Sequence, residues 1–290
     1  MDLSISAEHA RLEASARHAF ASGGLAPLIS GALVGLAIVS RELGRAAGDL
    51  SFHAEVLAHL LGWRGTGPVA VGLSTHDGVA DFVGGASRAA TLLLQTAPDE
   101  VLVVSRGDVE LLAQPTLADD ECCRVIFSPA ASRGTLAVDV AGAVARAAIV
   151  VAADAVGAAE AGLDAAVAHV KSRYQWGAPL GTLQAVRHRC ADMLLDVTVA
   201  RDAVFDAAGI TDRRADEAEV RLAAAFAMAT AGERCRRVTA GAHQLAGGQG
   251  IDADAPFHRW YRRVKWAESA FGDLRSHREH IAASLLGPLC

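Results

Sequence analysis

The stretch with the clearest chemistry is an arginine-containing turn followed by a long amphipathic helix, over residues 172–193. Pro179 and Gly181 break the preceding helical pattern, and Thr182 is predicted to cap the next helix. That helix is predicted to end at Gly209. The guanidinium of Arg173 favours an anion as the ligand of the turn. Apolar residues recur at steps of three and four and predict one buried stripe, made of Leu183, Val186, Cys190, Met193, Leu194, Val197 and Val204.

The elements that position this segment follow the order helix, strand, helix. Glycines separate three predicted N-terminal helices, Ala7–Ala21, Pro27–Leu43 and Ser51–Leu61. The sequence then changes to short runs rich in β-branched residues. These runs predict strands at 69–73, 91–94, 101–104, 109–112, 125–127 and 135–138. Arg106-Gly107-Asp108 lies between two of these runs and predicts a hairpin turn. From Asp139 onward, four long alanine-rich helical segments are predicted.

Composition and charge exclude several classes of protein. The 290 residues are 52% hydrophobic, which is ample for a large core, and the formal net charge of -6 argues against an electrostatic nucleic-acid binder. The most apolar stretch, 141–153, is too short to span a bilayer and carries Arg146, so a cytoplasmic protein without membrane attachment is expected. Five cysteines, including the adjacent Cys122 and Cys123, have no metal-site spacing and are read as free thiols.

Two ordered sequence blocks resemble the acyl-CoA dehydrogenase family. The first block runs from Arg173 to His188 and reads RYQWGAPLGTLQAVRH, which is similar to the signature of the family's C-terminal domain. The second begins QLAGGQGI at Gln244 and continues through PFHR and RRVK, which resembles the family's later glycine turn and final helix. A weaker match, Glu42-Leu43-Gly44-Arg45, resembles an N-terminal helix motif of the family.

The resemblance implies a mainly α fold with a reduced middle β domain and a C-terminal four-helix bundle that drives oligomerisation. It implies domain limits of 1–65, 66–138 and 139–290. It also implies FAD as the cofactor, bound across a subunit interface at its pyrophosphate and adenosine end. The residues that match FAD-contacting positions of the family are Arg173, Gln175, Trp176, Gln244, Gly247 and Gly248.

These residue types suit that role on physical grounds. The guanidinium of Arg173 can donate two hydrogen bonds to one phosphate group, and the side-chain amide of Gln244 can hydrogen-bond to the polar edges of the ligand. Gly247 and Gly248 let backbone N–H groups approach an anion without an intervening side chain. In the alternative reading, Arg173 caps carbonyls at a helix end and the two glycines form only a C-cap. Gly248-Gln249-Gly250 does not match a dinucleotide-binding fingerprint, because it follows a helix and lacks the third glycine.

The middle of the chain departs from the family pattern. No counterpart exists for the family's TEP-x-AGSD strand or its WITNG-type segment, which hold the flavin ring in relatives. The family's base is a glutamate at a fixed distance after the arginine and lysine cluster, a place held here by Phe271-Gly272-Asp273. A second family position for the base, near Ala147, is also without a carboxylate, and Glu268 lies one helical turn early and is expected to be solvated. The sequence therefore predicts no catalytic base in this chain.

Other groups that could do chemistry have weaker patterns. His277 and His280 lie three residues apart on a predicted helix, but a metal site needs further ligands, so solvated side chains are expected. Asp154 and Glu160 are acids within an otherwise apolar helix, and they are expected to face either solvent or a partner helix.

Two functions remain open from the sequence. In the first, the chain is a shortened subunit of a heteromeric FAD-dependent acyl-CoA dehydrogenase. The resemblance then implies pairing with a longer homologous subunit as an α2β2 heterotetramer, an acyl-CoA substrate such as a steroid side-chain CoA ester, and an electron-transfer flavoprotein as candidate electron acceptor. In the second, the chain is a non-enzymatic scaffold that binds no flavin. A homo-oligomer acting alone is disfavoured by the missing ring-binding segments.

Overall fold

The computed structural model describes residues 7–21, 32–73, 75–117, 121–213 and 215–287. The helices in these ranges are α1 Ala7–Ala21, α2 Leu33–Ala46, α3 Ser51–Leu60, α4 Val140–Ser172, α5 Gln184–Asp212, α6 Glu217–Ala246, α7 Phe257–Ala267 and α8 Leu274–Leu286. The strands are β1 Val69–Gly72, β2 Val79–Val83, β3 Thr91–Ala97, β4 Glu100–Ser105, β5 Val109–Ala113, β6 Cys123–Phe127, β7 Gly134–Ala137, β8 Tyr174–Gln175 and β9 Ala178–Pro179. The predicted fold class, mainly α with a reduced middle β region, is confirmed.

The fold divides into two compact units. Met1–Gly48 and Ala148–Cys290 form a helical unit, and Asp49–Ala147 form a smaller unit that contains both larger sheets. The three-part division into 1–65, 66–138 and 139–290 stays a prediction.

Helices α2 and α4 cross at backbone contact in the helical unit. A side chain on Gly44 would overlap the carbonyl of Asp154, and one on Gly157 would overlap the carbonyl of Arg41. Ser40 Oγ donates a hydrogen bond to Val150 O at 2.7 Å within this crossing. The glycine of the Glu42-Leu43-Gly44-Arg45 motif is therefore required by helix packing, because only glycine lets the two backbones approach so closely.

Charged residues surround the same crossing. Glu160 of α4 accepts hydrogen bonds from Arg41 Nε at 2.8 Å and from Arg45 Nη1 at 3.1 Å, both on α2. Asp154 is fully buried and binds Arg263 of α7. Asp154 and Glu160 therefore face partner helices rather than solvent, which decides between the two alternatives left open by the sequence.

The two ends of α2 are held by residues far away in the sequence. The carboxylate of Asp212 accepts hydrogen bonds from the N–H groups of Leu33 at 2.6 Å and Val34 at 2.9 Å, and so caps the start of the helix. At the other end, Trp260 Nε1 donates to the carbonyl of Arg45 at 3.1 Å. These contacts make α2 a member of the helical bundle.

The smaller unit contains two sheets around one apolar core. The strand order is β1-β3-β4-β7 in one sheet and β2-β6-β5 in the other. β1 is parallel to β3, and the other pairs in both sheets are antiparallel. Alternate residues of the strands fill the core, including Ala80, Val83, Leu92, Leu94, Val104, Val125 and Phe127.

Two predictions for the smaller unit are wrong. Arg106-Gly107-Asp108 forms a 3-10 turn between β4 and β5, but these strands pair in different sheets, so the turn does not close a hairpin. Strand β2 was not predicted, because glycine-rich sequence surrounds it and its register is broken by a bulge between Ala80 and Val83. The six predicted strands all form, with boundaries that differ by one to three residues.

The helical boundaries also need correction. Leu183, not Thr182, is the N-cap residue of α5, and Thr182 Oγ1 instead donates to Pro179 O at 2.7 Å. The same helix continues past Gly209 to Asp212, and the described residues after Asp139 form five helices where four segments were predicted. Residues 27–31 of the predicted Pro27–Leu43 helix lie outside the described residues, and α2 extends three residues beyond Leu43 to Ala46.

Helix α4 is longer than the apolar stretch noted in the sequence. It spans 33 residues with a window of mean hydropathy 1.7, so by length and composition alone it could cross a membrane. However, 83% of that window is buried inside the fold, as in the core helix of a folded protein.

Candidate functional site

The arginine-containing turn is a short hairpin made of β8 and β9. Gln175 pairs with Ala178, and the two residues between them, Trp176 and Gly177, have φ of 52° and 80°. Positive φ at both central positions is the geometry of a tight hairpin turn, which glycine adopts easily and tryptophan rarely does. The turn holds the Trp176 side chain in solvent, where it is 84% exposed.

Backbone hydrogen bonds fix the base of this hairpin. The N–H of Arg173 donates to His169 O at 2.9 Å, and the N–H of Leu180 donates to Arg173 O at 2.8 Å. The Arg173 side chain is exposed, and within the described residues it has neither a hydrogen-bond partner nor an ion-pair partner. The described residues therefore do not support the alternative in which the Arg173 side chain caps helix carbonyls. Its guanidinium is available to an external anion.

The second block forms a tight turn at the end of α6. Gly247 has φ 59° and ψ -128°, a conformation that only glycine adopts readily, and its N–H caps the helix by bonding Gln244 O and His243 O. A 3-10 turn then covers Gly247–Gly250. The His243 ring closes the turn through Nδ1, which lies 2.8 Å from Gly250 O.

The surface of this turn is open backbone. Gly247 and Gly248 are exposed, and a Cβ built on either glycine would meet no atom within 4 Å. Gln244 is also exposed, in the last turn of α6. The glycine pair therefore both ends the helix and presents bare backbone. Among the described residues, no hydrogen bond or ion pair joins this turn to the hairpin of Arg173.

The two carboxylates near the family's base position have other roles. Asp273 is the exposed N-cap of α8, and its Oδ1 accepts from Ser276 N at 2.7 Å. This hydrogen bond from the Ser276 N–H lowers the pKa of Asp273 below its usual value. Glu268 accepts from Lys265 Nζ at 2.5 Å and from Arg236 Nε at 3.2 Å, with its side chain only 14% exposed. The expectation that Glu268 is solvated is therefore wrong, because two cations hold it against the helices.

The other residues that the sequence singled out for chemistry lie outside the Arg173 hairpin and the glycine turn. His280 is exposed, whereas His277 is half-buried, and burial lowers the pKa of His277. Within the described residues, no group of three or more His, Cys, Asp or Glu side chains could hold a metal ion. In the described part of the chain, no disulfide joins Cys122, Cys123, Cys190 or Cys235.

Apolar side chains are exposed on the helical bundle. On α5 the buried stripe includes Met193, Val197 and Val204, but Leu183 and Leu194 of the predicted stripe are exposed. Further exposed apolar residues lie on α5, α6 and α8, namely Leu195, Val199, Phe226, Leu285 and Leu286. The placement of Leu183 and Leu194 in the buried stripe is wrong, because helical periodicity does not distinguish the protein core from a face that another subunit can cover.

Comparison with known proteins gives a family match over half of the chain. Residues 138–286 match the model of the acyl-CoA dehydrogenase C-terminal domain. The probable acyl-CoA dehydrogenase FadE25 of Mycobacterium tuberculosis (strain ATCC 25618 / H37Rv) is 36% identical over 134 residues, which are 46% of this chain and 34% of that protein. The acyl-CoA dehydrogenase IpdE2 of the same strain is 38% identical over 118 residues, 41% of this chain and 35% of that protein. The chain therefore spans about a third of the length of these curated relatives.

Solved structures extend the similarity in fold to nearly the whole chain. The ChsE4-ChsE5 complex from Mycobacterium tuberculosis includes a chain that superposes with a TM-score of 0.82 at 18% identity, covering 100% of both chains. A chain of the Tcur3481-Tcur3483 steroid ACAD gives 0.82 at 19% identity, covering 98% of this chain and 99% of that one. With the family signature on the hairpin and glycine turn and the family model matched over residues 138–286, this chain belongs to the acyl-CoA dehydrogenase family.

Proposed function

We propose that this chain is the shortened subunit of a heteromeric, FAD-dependent acyl-CoA dehydrogenase that introduces an α,β double bond into an acyl-CoA thioester. The chain contributes contacts to the pyrophosphate and adenosine end of FAD and a surface for assembly. A longer homologous subunit contributes the catalytic base. Two copies of each chain form the complex in the cytoplasm, and a steroid side-chain CoA ester is the proposed substrate class.

The observation that carries the proposal is the exposed guanidinium of Arg173 on the β8–β9 hairpin, which has no partner among the described residues. Binding of an anion such as the FAD pyrophosphate requires an available cation of this kind. The second feature is the open backbone at Gly247 and Gly248, which leaves room for a phosphate or ribose group. These residues fit FAD, because its pyrophosphate needs a cation and close backbone approach.

The proposed roles of the remaining site residues follow from their chemistry. Arg173 binds and orients the pyrophosphate, and the Gln175 and Gln244 amides bind polar edges of the nucleotide. Trp176 offers a large exposed ring that packs against a flat group. FAD, when bound, accepts the hydride from the β carbon of the thioester. None of these residues moves a proton.

Removal of the α proton then depends on the partner subunit. A general base must reach the proton that it abstracts. Asp273 is engaged as a helix cap, Glu268 is held by Lys265 and Arg236, and Phe271 and Ala147 occupy the family's base positions. The contacts of these residues support a chain that holds the cofactor without acting as the base.

Assembly with another subunit is supported by the exposed apolar side chains of α5, α6 and α8. Large exposed apolar side chains on neighbouring helices suit a surface that another subunit covers. Two structural neighbours are named as pairs of chains, ChsE4-ChsE5 and Tcur3481-Tcur3483, and the second is named as a steroid ACAD. An electron-transfer flavoprotein is the proposed acceptor of the electrons.

Neutralising either Asp273 or Glu268 of this chain is expected to leave most of the turnover of the complex. Asp273→Asn and Glu268→Gln each keep the size of the side chain, and neither removes a group that the proposal assigns to proton transfer. The measurement is acyl-CoA-dependent flavin reduction by the purified complex with the longer homologue. Neutralising the base glutamate of the longer subunit is the matched comparison, and that change is expected to abolish turnover.

The same assay can contradict the proposal in two ways. Loss of turnover in Asp273→Asn or Glu268→Gln, with the complex still assembled and flavin-loaded, would place the base in this chain. Full turnover after neutralisation of the partner's glutamate would show that the proposed division of roles is wrong.

A further inference from the structure

The smaller unit contains a cavity that the proposed function does not use. Its volume is about 450 Å³, and all of its lining residues belong to Asp49–Ala147. The six proposed FAD-binding residues belong to the other unit. The volume lies within the range of roughly 300–1,000 Å³ that is common for small-molecule sites.

One wall of the cavity is the indole ring of Trp63, which directly follows the C-terminal turn of α3. The backbone N–H of Trp63 donates to Ala58 O at 2.9 Å, and the backbone carbonyl of Trp63 accepts from Arg64 Nη1 at 2.9 Å. A side chain on Gly65 would overlap the indole ring, so glycine at this position lets the ring lie against the backbone. The backbone of Trp63 is therefore fixed by local hydrogen bonds, and its ring lies against Gly65.

The floor of the cavity carries two hydroxyl groups on neighbouring strands. Thr91 of β3 and Ser105 of β4 are directly opposite each other in the sheet register, and both are half-buried. In the part of the chain that the structure describes, neither hydroxyl has a hydrogen-bond partner. Two adjacent hydroxyls without partners can both donate to one acceptor group.

Arg133 supplies a cation at the same cavity. Its Nη2 and Nε lie 2.9 Å and 3.2 Å from a single oxygen of Asp108, and the Arg133 side chain is 66% exposed, so this is a surface ion pair. A guanidinium has five N–H donors, so the contact with one oxygen leaves donors for a second anion. No partner of Nη1 occurs among the described residues.

Gly134 keeps the cavity open. It lies opposite Val103 in the pairing of β4 with β7, and a Cβ built on it would meet no atom within 4 Å. Its φ is outside the left-handed region, so a larger residue can occupy the position without backbone strain. Because Gly134 lines the cavity, a large side chain at this position would reduce the open space there.

We propose that this cavity binds a small molecule with a flat ring and one anionic group. The ring packs on Trp63, and the anionic group accepts hydrogen bonds from Arg133, Thr91 and Ser105. The anion is either the carboxylate of an aromatic acid or the phosphate of a nucleotide, since both present oxygen acceptors beside a planar ring.

Isothermal titration calorimetry of the 290-residue chain with 2-naphthoate and with AMP tests the site. Saturable binding of at least one probe, with one molecule per chain, is expected. Preferential binding of 2-naphthoate assigns the anion to a carboxylate, and preferential binding of AMP assigns it to a phosphate. Arg133→Gln is expected to weaken binding of the preferred probe by about tenfold, because a charge-assisted hydrogen bond is lost.

Gly134→Leu is a stronger test than Arg133→Gln, because the leucine side chain is expected to fill the cavity and abolish binding. Gly107→Leu is its matched control, since Gly107 also faces open space but does not line the cavity. Arg124→Gln, which removes an exposed cation paired with Asp81 in the same unit, is the control for charge. Both controls should bind the probe as the wild type does.

Circular dichroism and the flavin content of the complex show whether Gly134→Leu is folded, independently of probe binding. If neither probe saturates the wild-type protein, or if a folded Gly134→Leu variant binds as tightly as the wild type, the proposed site is wrong. Loss of binding in the Gly107→Leu control with the fold intact would equally contradict this location.

Discussion

Replacing Asp154 by alanine is expected to lower the free energy of unfolding by about 3–5 kcal/mol. The reason is the environment of its partner, Arg263, which is only 6% exposed. Arg263 Nε and Nη2 lie 2.5 Å and 2.7 Å from the two oxygens of Asp154, whose side chain is 0% exposed. Without the carboxylate, a buried guanidinium would remain with no counter-charge.

The loss of stability in Asp154→Ala is expected to be large because Arg263 also binds the backbone at the end of α2. Its Nη1 donates to Gly48 O at 2.5 Å, next to the point where Trp260 binds Arg45 O. The single change therefore disturbs the contact of α7 with both α4 and α2. Denaturant-induced unfolding followed by circular dichroism is the measurement.

Two controls show whether the effect comes from an uncompensated charge. The double variant Asp154→Leu with Arg263→Met removes both charges and is expected to be more stable than Asp154→Ala, since buried pairs are often replaceable by apolar residues. Arg275→Ala breaks an exposed pair with Glu279 and is expected to leave the unfolding midpoint unchanged. A loss below about 1 kcal/mol for Asp154→Ala would contradict the assigned role of the pair.

Replacing Arg173 by alanine is expected to weaken FAD binding in the complex by roughly ten- to a hundredfold, the size of one lost charge-assisted contact. The guanidinium lies in solvent on a hairpin whose backbone is fixed at both ends, so its removal should not unfold the chain. The measurement is the flavin-to-protein ratio after dilution and gel filtration. Arg173→Lys should give an intermediate loss, because an ammonium group cannot bind phosphate bidentately.

Lys171→Ala is the matched control for Arg173. It removes an equal charge from an exposed position two residues earlier, in the last turn of α4. If the contact is specific, Lys171→Ala keeps most of the flavin while Arg173→Ala loses it. Equal flavin content in Arg173→Ala and wild type would show that the proposed role of Arg173 is wrong.

Much of the fold could be predicted from local patterns. The predicted Ala7–Ala21 helix is helical in all of its described residues, and the limits of α3 differ from the prediction by one residue, because Gly48 and Gly62 flank that helix. The strands of the smaller unit were predicted from β-branched runs. Which strands pair was not predictable from a turn sequence, since β4 and β5 follow each other in the chain yet belong to different sheets.

The long-range contacts could not be predicted from a single sequence. Asp154 and Arg263 are 109 residues apart, and the Asp212 cap of α2 is 179 residues from Leu33. No local signal marks such partners. Unlike these long-range contacts, the proposed FAD-binding residues could be predicted, because Arg173 and the glycine pair lie in sequence blocks that match the family. The structure adds that the Arg173 side chain is exposed and that the backbone at the glycine pair is open.

The measurement that tests the central claim most directly is light scattering with flavin absorbance on this chain co-expressed with a longer homologue. The account predicts one closed complex with two copies of each chain, with flavin absorbance in the same elution peak and in excess of that retained by the longer homologue alone. A complex of the two chains without flavin would favour the scaffold instead. A lone, well-folded, flavin-loaded monomer of this chain would contradict the account.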